Sequence, residues 1–364
     1  MRVISIATFF MALFSFAAAD AATHRHPKHG SSSQVAALTS ESINGAAPQG
    51  ASSDPAIIVK TEVLLDRDGF APGEIDGKNG DNFRKALAAF QQANNLKPSG
   101  KLDADTWNAL LSDNTDPPLT SYTILQSDVA GPFDERVPSD LEKKSELQGL
   151  SYKSPQEELA EKFHMSQDLL RRLNPNVRFD QAGEQIVVAN VEPMALHDSR
   201  DTVQAVPPRK QKRKDAGVAT IVVEKASRDV RAYDKEGKLL GYYPATIGSS
   251  EKPAPSGTFE VRRVAYNPDY HYNPKFAWKG VKAKEPLTIK PGPNNPVGLV
   301  WIDLSAPSYG IHGTPEPDKI GKTESHGCIR LTNWDALDLA GRVHKGTVVK
   351  FVDRDSAADS QAAK

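Results

Sequence analysis

The only cysteine in the chain, Cys328, lies among the residue types that thiol chemistry requires. It ends the string Ser325-His326-Gly327-Cys328, and a second histidine, His312, occurs earlier in the chain. An imidazole close to a thiol lowers the thiol pKa from about 8.5 to roughly 3.5–7.5, a range in which the nucleophilic thiolate forms. The sequence therefore predicts a cysteine nucleophile activated by a histidine.

The two histidines differ in how they can reach the sulfur. His326 lies two residues before Cys328, so in an extended segment both side chains share a face, which suits His326 to shaping the turn. His312 lies on another predicted strand and can point at the sulfur, so we expect it to be the general base. The backbone N–H groups of Gly327 and Cys328 are candidate oxyanion donors, each worth about 3 kcal/mol of barrier.

Two other interpretations of these residues are weaker. An inert buried thiol leaves unexplained why two histidines, a glycine and Arg330 crowd around one cysteine. A zinc site made of His312, His326 and Cys328 has no evident fourth ligand, and the His-Gly-Cys spacing is cramped for tetrahedral coordination. We therefore predict neither a metal nor a cofactor.

The elements that must position these residues belong to a mostly β region from residue 217 to residue 353. Short β-branched and aromatic runs recur there between glycine, proline and asparagine. One helix is expected, capped by Asn333, with the apolar stripe Ala336, Leu339, Ala340 and Val343. The predicted strands are residues 218–224, 230–233, 239–247, 258–264, 299–304, 310–312 and 348–352.

An aromatic segment within this region has two possible structures. It spans residues 266–278 and can be either a lid that excludes water from the site or a packed β-hairpin. The substrate-lid candidates are Tyr270, Tyr272, Phe276 and Trp278.

Residues 57–114 have the signals of a small helical domain. Asp81 is expected to cap one helix and Asp103 to start the next, separated by a Pro-Ser-Gly turn. The side chains expected in its core are Phe83, Leu87, Phe90, Trp107 and Leu110.

Residues 120–192 predict a strand–helix–strand unit. A strand is expected at residues 122–124, an amphipathic helical region at 155–173, and a returning strand at 186–188. A polar insertion at about residues 131–149 separates the first strand from the helical region.

The remaining segments are predicted from composition. Residues 1–21 indicate a secretory signal peptide, 22–56 a disordered tether, 193–216 a basic linker and 354–364 a disordered tail. Lysine plus arginine (45) nearly balances aspartate plus glutamate (46), so charge gives no argument for nucleic acid as a partner. No other segment reaches the length of about 20 apolar residues that spans a bilayer, so no membrane span is expected after signal cleavage.

The string from Ile311 to Thr314, followed by Ser-His-Gly-Cys-Ile-Arg, resembles the signature of YkuD-type L,D-transpeptidases, with the form found in ErfK/YbiS-like members. The resemblance implies a YkuD-type β-sandwich, with Cys328 as nucleophile, His312 as base and the Gly313 carbonyl orienting that base. Its supporting positions are His326, Ser325, Gly327 and Arg330, and Arg330 is expected to face a substrate carboxylate.

The other two predicted units also resemble known modules. Pro72 to Gly77, Ala86 to Gln91 and Gly100 to Trp107 resemble a three-helix peptidoglycan-binding domain, although Asn79-Gly80 replaces the usual aromatic-glycine pair. The strand–helix–strand unit resembles a LysM glycan-binding module but lacks the usual Gly-Asp-Thr after the first strand. We thus expect a multidomain protein with a three-helix domain, a small α+β module and a mostly β catalytic domain.

These resemblances imply a peptidoglycan enzyme of the periplasm or cell wall. The thiolate would attack the diaminopimelate carbonyl of a wall tetrapeptide, release D-alanine and pass the acyl group to an amine of another stem or of a lipoprotein. Two alternatives stay open: a hydrolytic L,D-carboxypeptidase, in which water is the acceptor, and a noncatalytic peptidoglycan-binding protein. Expected partners are stem peptides, glycan and a lipoprotein acceptor.

Overall fold

The computed structural model describes residues 38–48, 53–112, 114–194, 217–249, 252–276, 283–325 and 327–353. The predicted signal peptide, the predicted tail and most of the predicted linker lie outside these ranges, as do Trp278 and His326. No helix within them is long and apolar enough to cross a membrane.

The N-terminal module, residues 53–112, consists of helices whose first turns carry local capping signals. Asp54 accepts a hydrogen bond from the Ala56 N–H at 2.9 Å, and Asp103 accepts one from the Thr106 N–H at 2.9 Å. The prediction that Asp81 caps a helix is wrong, because Gly80 is the extended N-cap and Asp81 is the first helical residue. An acidic residue there is still favoured by the helix dipole. The helices are α2 Pro55–Arg67, α3 Asp81–Ala93 and α4 Ala104–Ser112.

The predicted tether contains an ordered helix, α1 Ser40–Asn44, so that prediction is wrong at this point. Thr39 and Ser42 form a capping box, and Ile43 is fully buried in the core of the middle module. One apolar side chain in a polar segment has no helical period, so composition alone suggested disorder.

The middle module, residues 114–194, has the predicted strand–helix–strand order. Its two strands pair antiparallel, with Tyr122 opposite Ile186. The helical region encloses a core with Leu159 and Phe163, and the polar insertion includes a short helix, α6. The elements are β1 Leu119–Thr123, α5 Gln126–Val129, α6 Leu141–Ser145, α7 Pro155–Lys162, α8 Gln167–Leu173 and β2 Gln185–Ala189.

The C-terminal module, residues 217–353, is mostly β, as predicted. Among its described residues, nine strands form one sheet in the order β5-β4-β3-β13-β7-β10-β11-β12-β6, and β8 pairs with β9 in a separate sheet. The strands are β3 Thr220–Glu224, β4 Asp229–Tyr233, β5 Leu239–Pro244, β6 Thr246–Ile247, β7 Gly257–Tyr266, β8 Tyr270–Tyr272, β9 Leu287–Ile289, β10 Val300–Leu304, β11 Gly310–His312, β12 Ile329–Arg330 and β13 Val348–Val352.

Helix α9, Asn333–Ala340, differs from the prediction at its first residue. Thr332 is the N-cap, and its side chain accepts a hydrogen bond from the Asp335 N–H at 3.1 Å. Asn333 is the first helical residue and is completely buried, so it does not cap the helix. Ala336, Leu339 and Ala340 are buried in the sheet core, as expected. Val343 was predicted to belong to the same helical stripe, but the helix ends at Ala340, and Val343 packs partly buried against the core from beyond it.

The modules share cores and backbone hydrogen bonds. Tyr242 of β5 lies in the same apolar cluster as Phe70, and the Ala71 N–H donates to the Tyr242 carbonyl at 2.9 Å. Ile75 likewise forms a backbone bridge to Met165 of the middle module. The N-terminal module therefore packs against the catalytic sheet and against the middle module.

Candidate active site

Three neighbouring strands bring the candidate residues together. His312 on β11 lies opposite Trp301 on β10 and opposite Arg330 on β12. Residues directly opposite each other on paired strands share a face, so these side chains lie in a row. Cys328 immediately precedes β12, and all four residues line one cleft.

His312 is held in a defined orientation. Its Nδ1 lies 2.7 Å from the Gly313 carbonyl oxygen, and its ring stacks on Trp301 with the ring centroids 5.3 Å apart. Because a carbonyl can only accept, a neutral imidazole here carries its proton on Nδ1, and Nε2 is the basic atom. Burial, with a smaller effect of the Arg330 charge, lowers the pKa of His312 to about 3.

Cys328 lines the cleft, and its side chain is half-buried. Its Sγ is 3.9 Å from the Ser308 carbonyl oxygen, which can accept the weak S–H hydrogen bond. Burial raises the thiol pKa above its ordinary value, although the Gly310 N–H and the charges on Arg330 and Lys252 act in the opposite direction. Burial disfavours both the anionic sulfur and the cationic imidazole, a direction opposite to the expected thiolate.

The turn before the cysteine is fixed by its neighbours. Ser325 Oγ donates to the Cys328 carbonyl at 2.6 Å and so closes the turn. Gly327 has φ +104°, and a Cβ at this position would lie 3.0 Å from Tyr309 Cε1. Glycine is thus required by backbone conformation, while His326 lies outside the described residues.

The cleft is peptide-sized and mainly cationic. Its volume is about 690 Å³, and the charged side chains that line it are Lys252, Arg263, Arg330 and Asp269. The Nε of Arg330 is buried and, within the described residues, has no hydrogen-bond partner. Arg330 also lines the cleft, and a guanidinium group presents paired N–H donors that suit a substrate carboxylate.

The aromatic segment forms a paired structure rather than a free loop. β8 and β9 are antiparallel, with Tyr270 opposite Ile289. Tyr270 lines the cleft, whereas Tyr272 is buried and its hydroxyl donates to the Ala283 carbonyl at 3.3 Å, so Tyr272 is not a lid residue. Phe276 ends a 3₁₀ helix beginning at Pro274.

Sequence reasoning missed several residues around the site. Trp301 stacks on the candidate base, and Ser308 accepts from the thiol. The position of Trp301 depends on strand register, and that of Ser308 depends on a loop in which its φ is +67°. No sequence motif encodes either feature. Within the described ranges, no group of three or more His, Cys, Asp or Glu residues can hold a metal ion.

Comparison with known proteins supplies the family. A family model described as an L,D-transpeptidase catalytic domain matches residues 219–351, and one described as a peptidoglycan binding domain matches residues 59–110. YqjB of Bacillus subtilis, named as an L,D-transpeptidase, is 31% identical over 138 residues, which cover 36% of this chain and 70% of YqjB. This chain belongs to the L,D-transpeptidase family.

Other relatives of this L,D-transpeptidase carry the same family name. YkuD of Bacillus licheniformis is 29% identical over 197 residues, covering 54% of this chain and 92% of the relative. YbiS of Escherichia coli is 33% identical, covering 39% of this chain and about half (47%) of YbiS. The crystal structure of L,D-transpeptidase 3 from Mycobacterium tuberculosis is similar at 18% identity and a TM-score of 0.32, covering 38% of this chain and 62% of that one.

Proposed function

We propose that this L,D-transpeptidase acts on the stem peptides of peptidoglycan, with Cys328 as nucleophile and His312 as general base. The observation that carries the proposal is the His312–Gly313 contact of 2.7 Å, because it directs the basic Nε2 away from Gly313 while Cys328 lines the same cleft. Ser325 and Gly327 support the turn that presents the sulfur.

The chemistry begins from two neutral groups. As Sγ attacks the diaminopimelate carbonyl carbon, the thiol proton moves to His312 Nε2, and the carbonyl electrons collect on oxygen. The backbone N–H groups of Gly327 and Cys328 are the proposed donors to that oxygen. The imidazolium then gives the proton to the departing D-alanine amine, and a thioester remains on Cys328.

An amine completes the reaction. It attacks the thioester carbonyl, gives its proton to His312, and releases the sulfur, which is reprotonated as the acyl group forms a new amide. The acceptor is an amine of another stem or of a lipoprotein. With water as acceptor, the same steps would yield a carboxypeptidase.

The charge of the cleft supports an anionic peptide as substrate. Arg330 lines the cleft with a guanidinium group that can bind a carboxylate, and Lys252 and Arg263 add positive charge along the wall. We propose that Arg330 binds a carboxylate of the stem peptide and that Tyr270 forms part of the wall that shields the thioester from water.

The accessory modules are proposed to hold the enzyme on its substrate. Residues 59–110 match a peptidoglycan-binding family, and we propose that they bind the wall. A shallow cavity of about 470 Å³ on the middle module, lined by Phe133, Lys153 and Pro155, is a candidate glycan site for a LysM-like module. Export through a signal peptide at residues 1–21 to the periplasm or cell wall follows from the same proposal.

Purified tetrapeptide fragments test the proposed reaction. We expect a cross-linked dimer and free D-alanine, whereas tripeptide alone would indicate hydrolysis and no turnover would indicate a noncatalytic wall-binding protein. The control is Cys328→Ala, which should lose both products and still sediment with isolated peptidoglycan. Product formation by this variant would contradict the proposal.

A further inference from the structure

A buried asparagine packs against Gly313, the glycine whose carbonyl orients the candidate base. Asn333 Oδ1 accepts a hydrogen bond from the Leu299 N–H at 3.1 Å. A Cβ on Gly313 would lie 2.3 Å from this same oxygen, and one on Gly298 would lie 2.1 Å from it. The side chain of Asn333 therefore packs between two backbone segments, and each segment has a glycine at the point of contact.

The amide nitrogen of Asn333 reaches into the middle module. Its Nδ2 donates to Glu161 Oε2 on α7 at 2.9 Å, with the Pro293 carbonyl as a longer contact at 3.4 Å. Both Asn333 and Glu161 are buried, with exposed fractions of 0% and 4%. Because Leu299 donates and Glu161 accepts, the hydrogen-bond partners fix the orientation of the amide.

These contacts form a continuous path from the middle module to the base. Glu161 fixes the Asn333 amide, the amide oxygen packs against Gly313, and the Gly313 carbonyl accepts from His312 Nδ1. Removing the Glu161 acceptor leaves a buried N–H with only the longer contact to Pro293. An unsatisfied buried donor costs free energy, so the amide would turn or shift toward another acceptor.

We propose that Glu161 of the middle module is a positioning residue for the transpeptidase reaction, acting through Asn333 to hold the Gly313 carbonyl and thereby the imidazole of His312. This inference rests on the proposed function. It gives the middle module a part in the chemistry that is separate from glycan binding. Small displacements of a catalytic group have large effects on rate, so loss of this contact should lower turnover more than substrate binding.

The test compares Glu161 variants in the full-length chain. A carbapenem serves as the acyl donor, intact mass reports modification of Cys328, and kcat and KM are measured with a wall tetrapeptide. We expect Glu161→Ala to slow acylation and lower kcat by about tenfold, with KM changed less than about twofold. Glu161→Gln keeps an acceptor oxygen and should retain a rate within about threefold of the parent.

Glu158→Ala is the matched control. Glu158 lies on the same helix, but its charged neighbours are Asp128 and Lys162. Replacing it should therefore leave the acylation rate unchanged. If Glu161→Ala does not fold, Glu161→Asp replaces it, because the shorter side chain withdraws the carboxylate from Asn333 while keeping the acid.

Three results would overturn the inference. The first is acylation at the parental rate by folded Glu161→Ala, or by Glu161→Asp where that variant replaces it. The second is an equal loss of acylation rate in Glu161→Ala, Glu161→Gln and Glu158→Ala. The third is a rise in KM without a fall in kcat. An unreactive parent chain would instead contradict the proposed function itself, so the two failures are distinguishable.

Discussion

At the residue scale, burial favours the neutral forms of Cys328 and His312 over an ion pair. Burial raises the pKa of Cys328 and lowers that of His312 to about 3. The neutral imidazole can accept a proton at any pH well above its pKa, and the thiol must lose its proton during attack. The sequence predicted both residues and the roles proposed for them, but it could not supply their burial, which opposes the thiolate that the motif suggests.

The low pKa of His312 predicts an unusual pH dependence of the acylation rate of Cys328 at acidic pH. His312 gains a proton only as pH falls toward about 3, so the acylation rate should show no inflection near the ordinary histidine pKa of about 6.5. The measurement is the acylation rate by a carbapenem between about pH 4.5 and 8. A loss of rate centred near pH 6.5 would contradict the neutral pair.

At the element scale, the loop between β11 and β12 is held from outside the catalytic sheet. Asn82 on α3 donates from Nδ2 to the Ile320 carbonyl at 2.9 Å, and its Oδ1 would lie 2.3 Å from a Cβ on Gly321, where φ is +75°. The predicted strands at 310–312 and 348–352 have their predicted bounds, because alternation and turn residues mark them. The two-residue strand β6 was merged with β5 in the predicted strand 239–247, and the two-residue strand β12 was not predicted. Both are too short to show a hydrophobic alternation.

The Asn82 contact predicts a local effect on stability. Asn82→Ala should lower the free energy of unfolding by about 1 kcal/mol and increase proteolysis within residues 314–325, because the Ile320 carbonyl loses its donor. Denaturant unfolding and mass mapping of the fragments measure these effects. The control Lys97→Ala removes an exposed side chain on the same module, and equal proteolysis in both variants would count against the contact.

At the scale of the whole molecule, the accessory modules make buried contacts with the catalytic module. Phe70 and Tyr242 share a core, and Glu161 contacts Asn333 across a module boundary. Sequence motifs identified the catalytic and peptidoglycan-binding modules because their residues are close together in the chain. They gave no sign of the module contacts, which join residues far apart and depend on side chains with no motif of their own.

The proposed function depends on acyl transfer through one sulfur atom, that of Cys328. The most direct measurement is intact and peptide mass spectrometry of the full-length chain after brief reaction with a disaccharide tetrapeptide. We expect release of D-alanine and a disaccharide-tripeptide thioester on Cys328, absent in Cys328→Ala and much reduced in His312→Gln. D-alanine release by Cys328→Ala, or an acyl group attached at another residue of the parent chain, would contradict the account.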